Sequence, residues 1–330
     1  LSSGVPGSVD GLIALLQRYG TLSLPQVIAP AIKLARDGFE IDWYVARHFA
    51  WVRPKMIKHA ASIAKFSVAG RPPKQGDIWR QPDLASTLQR ISDEGRKGFY
   101  EGKTADLIVS EMQRSGGIIS YEDLADYRSV WREPVKGSYR GYDIWSMGPP
   151  SSGGALLIQI LNMLENHDLS LAGWGSADAI HLMVEAERRA YADRAEHMGD
   201  PDFWDVPISM LTSKQYAKSR IKNIDLNKAT PSSSVSASKK TSYESPETTH
   251  YSVVDRWGNA VSVTTTINLS YGNGCVVEGA GFFLNNEMDD FSAKPGSPNV
   301  YGLIGNEANS IEPNKRPLSS MTPTIVLKGQ

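Results

Sequence analysis

An α+β fold is predicted by three observations in this 330-residue sequence. Apolar residues recur at helical spacing up to about residue 225, β-branched alternation takes over after residue 248, and a polar stretch separates the two regions. That stretch, from about 228 to 247, is rich in Ser, Lys, Thr and Pro and holds one aromatic residue, Tyr243. It cannot bury enough apolar surface to offset the ordering of its backbone, so a flexible linker is expected there.

Leu12, Ile13, Leu15, Leu16 and Tyr19 form one apolar helical face that ends at Gly20, and Ser23 is placed to cap a second helix closing at Gly38. Further helices are predicted between Trp43 and Ala64, over residues 83–93 and 102–114, from Ala155 to Glu165 and over 177–197. Ser120 with Asp123 forms a capping-box pattern ahead of a short helix. Val135 to Trp145, with Tyr139, Gly141 and Tyr142, reads as a β-hairpin or bent strand. After the linker, paired β runs are predicted at 249–267, 276–285 and 321–328. The first of these folds back on itself through the turn Asp255-Arg256-Trp257-Gly258-Asn259. No internal repeat is present.

With 41% hydrophobic and 22% charged residues the chain can build a sizeable core, and its length suggests about two domain-sized portions. A formal net charge of -1 and a pI near 6.7 give no electrostatic basis for binding nucleic acid or an anionic membrane. No apolar run approaches the ~20 residues of a membrane helix, and no leader-like segment opens the chain. The sequence starts Leu1-Ser2-Ser3-Gly4 without a Met and finishes in a strand-like run, so truncation at both ends is expected. Cys275, the single cysteine, supports neither an intrachain disulfide nor a multi-thiolate metal site, and reads as a buried small hydrophobe.

Three features invite a chemical reading. His181 and Glu185 stand four residues apart with His197 beyond, which suits either a metal site or the solvated face of a helix. Ser151-Ser152-Gly153-Gly154 opens a helix, and either cradles an anion with its amides or lets small residues pack closely. Thr248 either starts a strand or is a nucleophile. A Thr hydroxyl within a chain is a weak nucleophile, but at a chain N-terminus it carries its own base, because a free α-amine titrates near ~7.7–8.0. Cleavage between Glu247 and Thr248 would create that amine. No G-x-S-x-G elbow, phosphate-binding lysine loop or G-x-G-x-x-G fingerprint is present.

Several strings together resemble the γ-glutamyltransferases, glutathione-hydrolysing members of the N-terminal nucleophile hydrolases. They are Thr248-Thr249-His250-Tyr251-Ser252-Val253-Val254-Asp255, Leu284-Asn285-Asn286-Glu287-Met288-Asp289-Asp290-Phe291 and Pro313-Asn314-Lys315-Arg316-Pro317-Leu318-Ser319-Ser320-Met321. Pro149-Pro150-Ser151-Ser152-Gly153-Gly154 and Ala190-Tyr191-Ala192-Asp193-Arg194 fit the same family, and the resemblance spans essentially the whole chain.

The resemblance implies a four-layer αββα sandwich, here incomplete at both termini. Residues 1–247 would be the later part of a large subunit and 248–330 the start of a small one, self-cleaved and still associated. It implies Thr248 as nucleophile, Thr266 as the hydroxyl that orients it, and Asn268, Glu287 and Asp290 around the substrate's α-ammonium. Two carboxylates and an amide oxygen suit a cation with three donors. Ser319 and Ser320 would meet the α-carboxylate, and Tyr301 would gate a lid running from Lys294 to Asn314. The substrate would be glutathione or another γ-glutamyl compound, with water, an amino acid or a peptide as acceptor. No cofactor or metal is implied. The family's carboxylate-clamping arginine falls before Leu1 and its Gly-Gly oxyanion hole after Gln330, so the isolated chain is expected to be inactive. The family also implies a periplasmic or extracellular location. Two other readings remain: a related acylase or polyglutamate transpeptidase, and a non-enzymatic binding module on the same scaffold.

Overall fold

The computed structural model describes residues 2–235, 248–300 and 302–329. Helices and antiparallel strands combine in an α+β arrangement, and the chain divides into two compact units. One comprises residues 1–131 and 266–288, the other 132–265 and 289–330. Each therefore takes chain from both sides of residue 248.

The first unit is helical. Helix α1 (Ser8–Tyr19) begins four residues ahead of its apolar stripe and stops where the Gly20 amide bonds Leu16 O. Helix α2 (Leu24–Asp37) starts at Ser23 with the reciprocal capping box to Gln26 and stops at Gly38, whose φ of 87° is open to glycine at little cost. A two-residue ribbon pairs β1 (Phe39–Glu40) with β2 (Ile78–Trp79), bracketing α3 (Trp43–Met56) and α4 (Ala60–Lys65). Asp42 caps α3 by accepting the Val45 amide at 2.8 Å. Then follow α5 (Pro82–Glu94), α6 (Lys97–Tyr100), α7 (Gly102–Ser115) and α8 (Tyr121–Asp126), the last opened by the predicted Ser120–Asp123 box.

Two apolar clusters hold this unit. Tyr100, Ile108, Met112 and Leu124 pack with Cys275, Val277 and Leu284 of the returning segment. Phe66 lies among Phe49, Trp79, Tyr271 and Phe283, with ring centroids 4.6 to 5.4 Å away. The returning segment corrects one expectation: 276–285 is not a paired strand run. It makes a single bridge, Val276 to Phe283, because Gly279 and Gly281 adopt φ of 73° and 78° and turn the chain before a ladder can extend.

In the second unit, β3 (Val135–Tyr139) and β4 (Tyr142–Ser146) form the predicted hairpin. Arg140 and Gly141 carry φ of 49° and 83°, the paired positive values that a tight two-residue hairpin turn requires. Helix α9 (Gly153–Leu164) lies on this hairpin, with Ile158 against Val135 and Ile144. The short α10 (Leu169–Ala172) leads to α11 (Ala177–His197), then α12 (Ile208–Leu211) and α13 (Lys214–Ile221). Leu156 and Met163 of α9 pack with Leu182, Ala186 and Ala190 of α11 and Ala217 of α13.

Strand β5 (Thr249–Val254) pairs antiparallel with β6 (Ala260–Thr265) as the expected hairpin, with Thr249 opposite Thr265. The turn between them is organised by Asp255, whose Oδ1 accepts the Trp257 and Asn259 amides, both at 2.9 Å. Strand β7 (Thr324–Lys328) adds to β4, completing a three-stranded sheet. The short helices α6, α10, α12 and α13 were not predicted. No helix among the described residues is long and apolar enough to cross a membrane.

Candidate active site

Thr248 is exposed and stands immediately before β5. Side chains alternate along a strand, so Thr248 shares its face with His250 and Ser252. His250 Nδ1 is 2.8 Å from Thr264 Oγ1, and its Nε2 is 3.3 Å from Ser252 Oγ. The nucleophile candidate thus heads a polar strip on the β5–β6 ribbon. Sequence reasoning passed over His250; its place two residues beyond Thr248 in an alternating run was the available signal. Glu247 and Tyr301 lie outside the described residues.

Of the other predicted site residues, Thr266, Asn268 and Glu287 belong to the first unit, Asp290, Ser319 and Ser320 to the second. In the first, Thr266 Oγ1 accepts the Asn268 amide at 3.0 Å. Asn268 is buried with φ of 73°, a conformation Asn tolerates better than most residues. Its Nδ2 donates to Asn286 O at 3.1 Å, while Asn286 Oδ1 accepts the Leu269 amide at 3.0 Å. Asn285 is held just as firmly: it exchanges two 2.9 Å hydrogen bonds with the Gly4 backbone, and its Oδ1 also accepts the Glu287 amide at 3.0 Å. The polar Asn285-Asn286 pair is therefore a buried scaffold that fixes the chain entering Glu287.

Glu287 and Asp290 open and close a single 3₁₀ turn. In the second unit Asn309, which is buried, spans two site segments. Its Nδ2 donates to Asp290 O at 2.7 Å and its Oδ1 accepts the Leu318 amide at 2.9 Å. The chain entering Leu318 is further anchored at Asp200, a fully buried carboxylate that accepts the Arg316 amide at 2.8 Å and Arg132 Nη2 at 3.2 Å.

Ser319 and Ser320 are half-buried and locked to the segment opening α9. Ser319 forms a parallel bridge with Ser151: its amide donates to Pro150 O at 3.0 Å, and its carbonyl accepts the Ser152 amide at 2.8 Å. Ser151 Oγ donates to Met321 O at 2.6 Å and Ser152 Oγ to Ser319 O at 2.9 Å. The amides that could have cradled an anion are occupied, Gly153 N–H by Ser151 Oγ at 3.3 Å and Gly154 N–H by Met147 O at 3.2 Å. Close packing explains the glycines: a Cβ on Gly153 would fall 2.1 Å from Thr322 Oγ1, and one on Gly154 would fall 2.3 Å from Met147 O.

Arg194, which the sequence placed in a family-like string without a role, reaches the same place. It is buried near the end of α11, with Nε 2.9 Å from Ser152 Oγ and Nη2 3.2 Å from Ser320 Oγ. The four-residue spacing Leu182, Ala186, Ala190, Arg194 continues a buried helical stripe into a cation, and that was its signal. The His181–Glu185 spacing has another use. His181 Nε2 is 2.8 Å from Asp225 O, and Glu185 pairs with Arg188 and Arg189.

The gamma-glutamyltranspeptidase family model matches residues 1–330. The chain is 53% identical over 329 residues to the glutathione hydrolase proenzyme of Escherichia coli (strain K12), covering 99% of this chain and 57% of that protein. It thus spans little more than half the length of that curated relative. Among solved structures, Helicobacter pylori gamma-glutamyltranspeptidase superposes with a TM-score of 0.69 at 49% identity, over 71% of this chain and 68% of that one. Cephalosporin acylase from Bacillus halodurans gives 0.82 at 27% identity, over 99% and 58%. The chain belongs to the gamma-glutamyltranspeptidase family and has the α+β fold of the N-terminal nucleophile hydrolases.

Proposed function

We propose that the full-length protein is a self-cleaving threonine hydrolase and transferase acting on γ-glutamyl amides, glutathione among them. The observation that carries this is the placement of Thr248, an exposed hydroxyl residue immediately ahead of β5, in a chain that matches the family from end to end. In maturation, Thr248 Oγ attacks the Glu247 carbonyl carbon. The C–N bond breaks as an ester forms, and the freed nitrogen becomes the Thr248 α-amine. Water then hydrolyses the ester, leaving the Glu247 carboxylate and a regenerated hydroxyl. Large and small subunits remain associated, consistent with two compact units that each draw chain from both sides of the cut.

In turnover the α-amine takes the hydroxyl proton as Oγ attacks the γ-amide carbonyl, help typically worth ~10²–10⁴-fold. The proton passes to the leaving amine, and a γ-glutamyl ester stays on Thr248 until water or an amine acceptor takes the acyl group. Thr266 orients the nucleophile. Asn268, Glu287 and Asp290 meet the α-ammonium, Ser319 and Ser320 the α-carboxylate, and Tyr301 gates the lid. Glu287 and Asp290 favour this reading over a glutaryl acylase, because a glutaryl group brings no ammonium to meet them. A periplasmic or extracellular location accompanies the proposal.

The test is release of 4-nitroaniline from γ-glutamyl 4-nitroanilide by the full-length protein and its Thr248→Ala variant. Turnover by the wild type alone, accelerated by a dipeptide acceptor, is expected. Equal rates in both proteins would exclude Thr248 as nucleophile.

A further inference from the structure

The Arg194 side chain donates to one hydroxyl in each of two Ser-Ser pairs, Ser152 and Ser320. A guanidinium has only N–H donors, so any hydroxyl it contacts is forced to accept and keeps its own proton to donate elsewhere. Ser152 shows the consequence directly: its oxygen accepts from Arg194 Nε at 2.9 Å and its proton goes to Ser319 O at 2.9 Å. Ser320 Oγ accepts from Arg194 Nη2 in the same way, at 3.2 Å. Ser319 Oγ is set similarly by the Met321 amide, which donates to it at 3.1 Å. Among the described residues, both hydroxyls of the Ser319-Ser320 pair therefore have a lone pair committed to a protein N–H and a proton left to give, the polarity that an anion needs.

We propose that Arg194 is a positioning residue for anion recognition: it holds Ser320 as an obligate donor toward the substrate's α-carboxylate and, through Ser152, fixes the backbone at Ser319. The inference rests on the reading of Ser319 and Ser320 given above. Arg194 is 5% exposed on a long helix, so it acts through the serines. Lysine is a point donor and cannot span both hydroxyls with the fixed fork of an arginine.

The experiment uses full-length protein and two anilides, γ-glutamyl 4-nitroanilide and the same compound with its α-carboxylate converted to a carboxamide. Arg194→Met should raise KM for the carboxylate substrate about tenfold, the scale of one hydrogen bond to a charged group. Its kcat and its kcat/KM for the carboxamide should stay within about twofold. Arg194→Lys should fall between, and adding Ser320→Ala to Arg194→Met should cost little more, because both changes remove one interaction. Lysine keeps a cation in the buried position, so its split between the substrates reads out the proposal even where methionine lowers the yield of folded protein. Equal losses on both substrates, or full additivity with Ser320→Ala, would overturn it. A wild type indifferent to the carboxylate would overturn the assignment of Ser319 and Ser320 as well. A discriminating wild type with equally discriminating Arg194 variants would overturn this inference alone.

Discussion

Glu185→Gln tests how the end of the helical region is anchored. Glu185 is 1% exposed on α11, with its carboxylate 2.8 Å from Arg188 Nη1, paired with Arg189 and accepting the Thr230 amide at 2.9 Å. Thr230 lies in the polar stretch that leads to the expected cut, so this carboxylate ties the early part of that stretch to α11. Burial pushes the carboxyl up, but the hydrogen bonds from Arg189 and Thr230 and the charge of Arg188 outweigh it and bring it from the ordinary 4.5 down to about 2. At ~1.4 kcal/mol per tenfold change, that lowering corresponds to ~3 kcal/mol. Breaking a buried ion pair from one side costs about 3–5 kcal/mol, which agrees. Because the carboxyl is lowered on folding, its contribution is fully present above about 4.5 and is lost as pH falls through about 2. Urea unfolding followed by tryptophan fluorescence should place the variant ~3 kcal/mol below wild type at pH 7, with the gap narrowing in acid. A gap below ~1 kcal/mol at pH 7, or one that ignores pH, would refute the reasoning.

Three further substitutions probe the packing that carries the site. Phe66→Ala removes a 2%-exposed ring from the aromatic cluster of the first unit and should cost ~3–5 kcal/mol in the same unfolding assay. Gly153→Ala drives a Cβ to 2.7 Å from Ser320 O as well as onto Thr322, so it should destabilise by ~1–3 kcal/mol and raise KM for a γ-glutamyl anilide. Asn309→Ala removes one hydrogen bond to Asp290 O and one from the Leu318 amide, with an expected cost of ~1–3 kcal/mol and a raised KM measured in steady-state kinetics.

Local signals decided what could be read from the sequence. Helices with caps at Ser23 and Ser120 and stops at Gly20 and Gly38 were legible because the capping and stop residues act within one turn of chain. The Tyr139–Tyr142 hairpin and the β5–β6 ribbon were legible for the same reason, with their turns written in Gly141 and in Asp255 to Asn259. The run 276–285 misled, because β-branched residues suggested a ladder while Gly279 and Gly281 turned the chain. The candidate nucleophile and the other polar site candidates came from strings that resemble a known family. Arg194, Asn309 and Asp200 did not, because each acts over a long sequence separation. Asn309 joins Asp290 to Leu318, Asp200 reaches Arg316, and Arg194 reaches Ser320, pairings that no local pattern encodes.

The central claim is that Thr248 cuts its own chain. Intact mass and N-terminal sequencing of the full-length protein beside Thr248→Ala tests it most directly. The wild type should yield two fragments, the smaller beginning at Thr248, and the variant should stay whole. A wild type that also stays whole, or a variant that splits at the same bond, would contradict it.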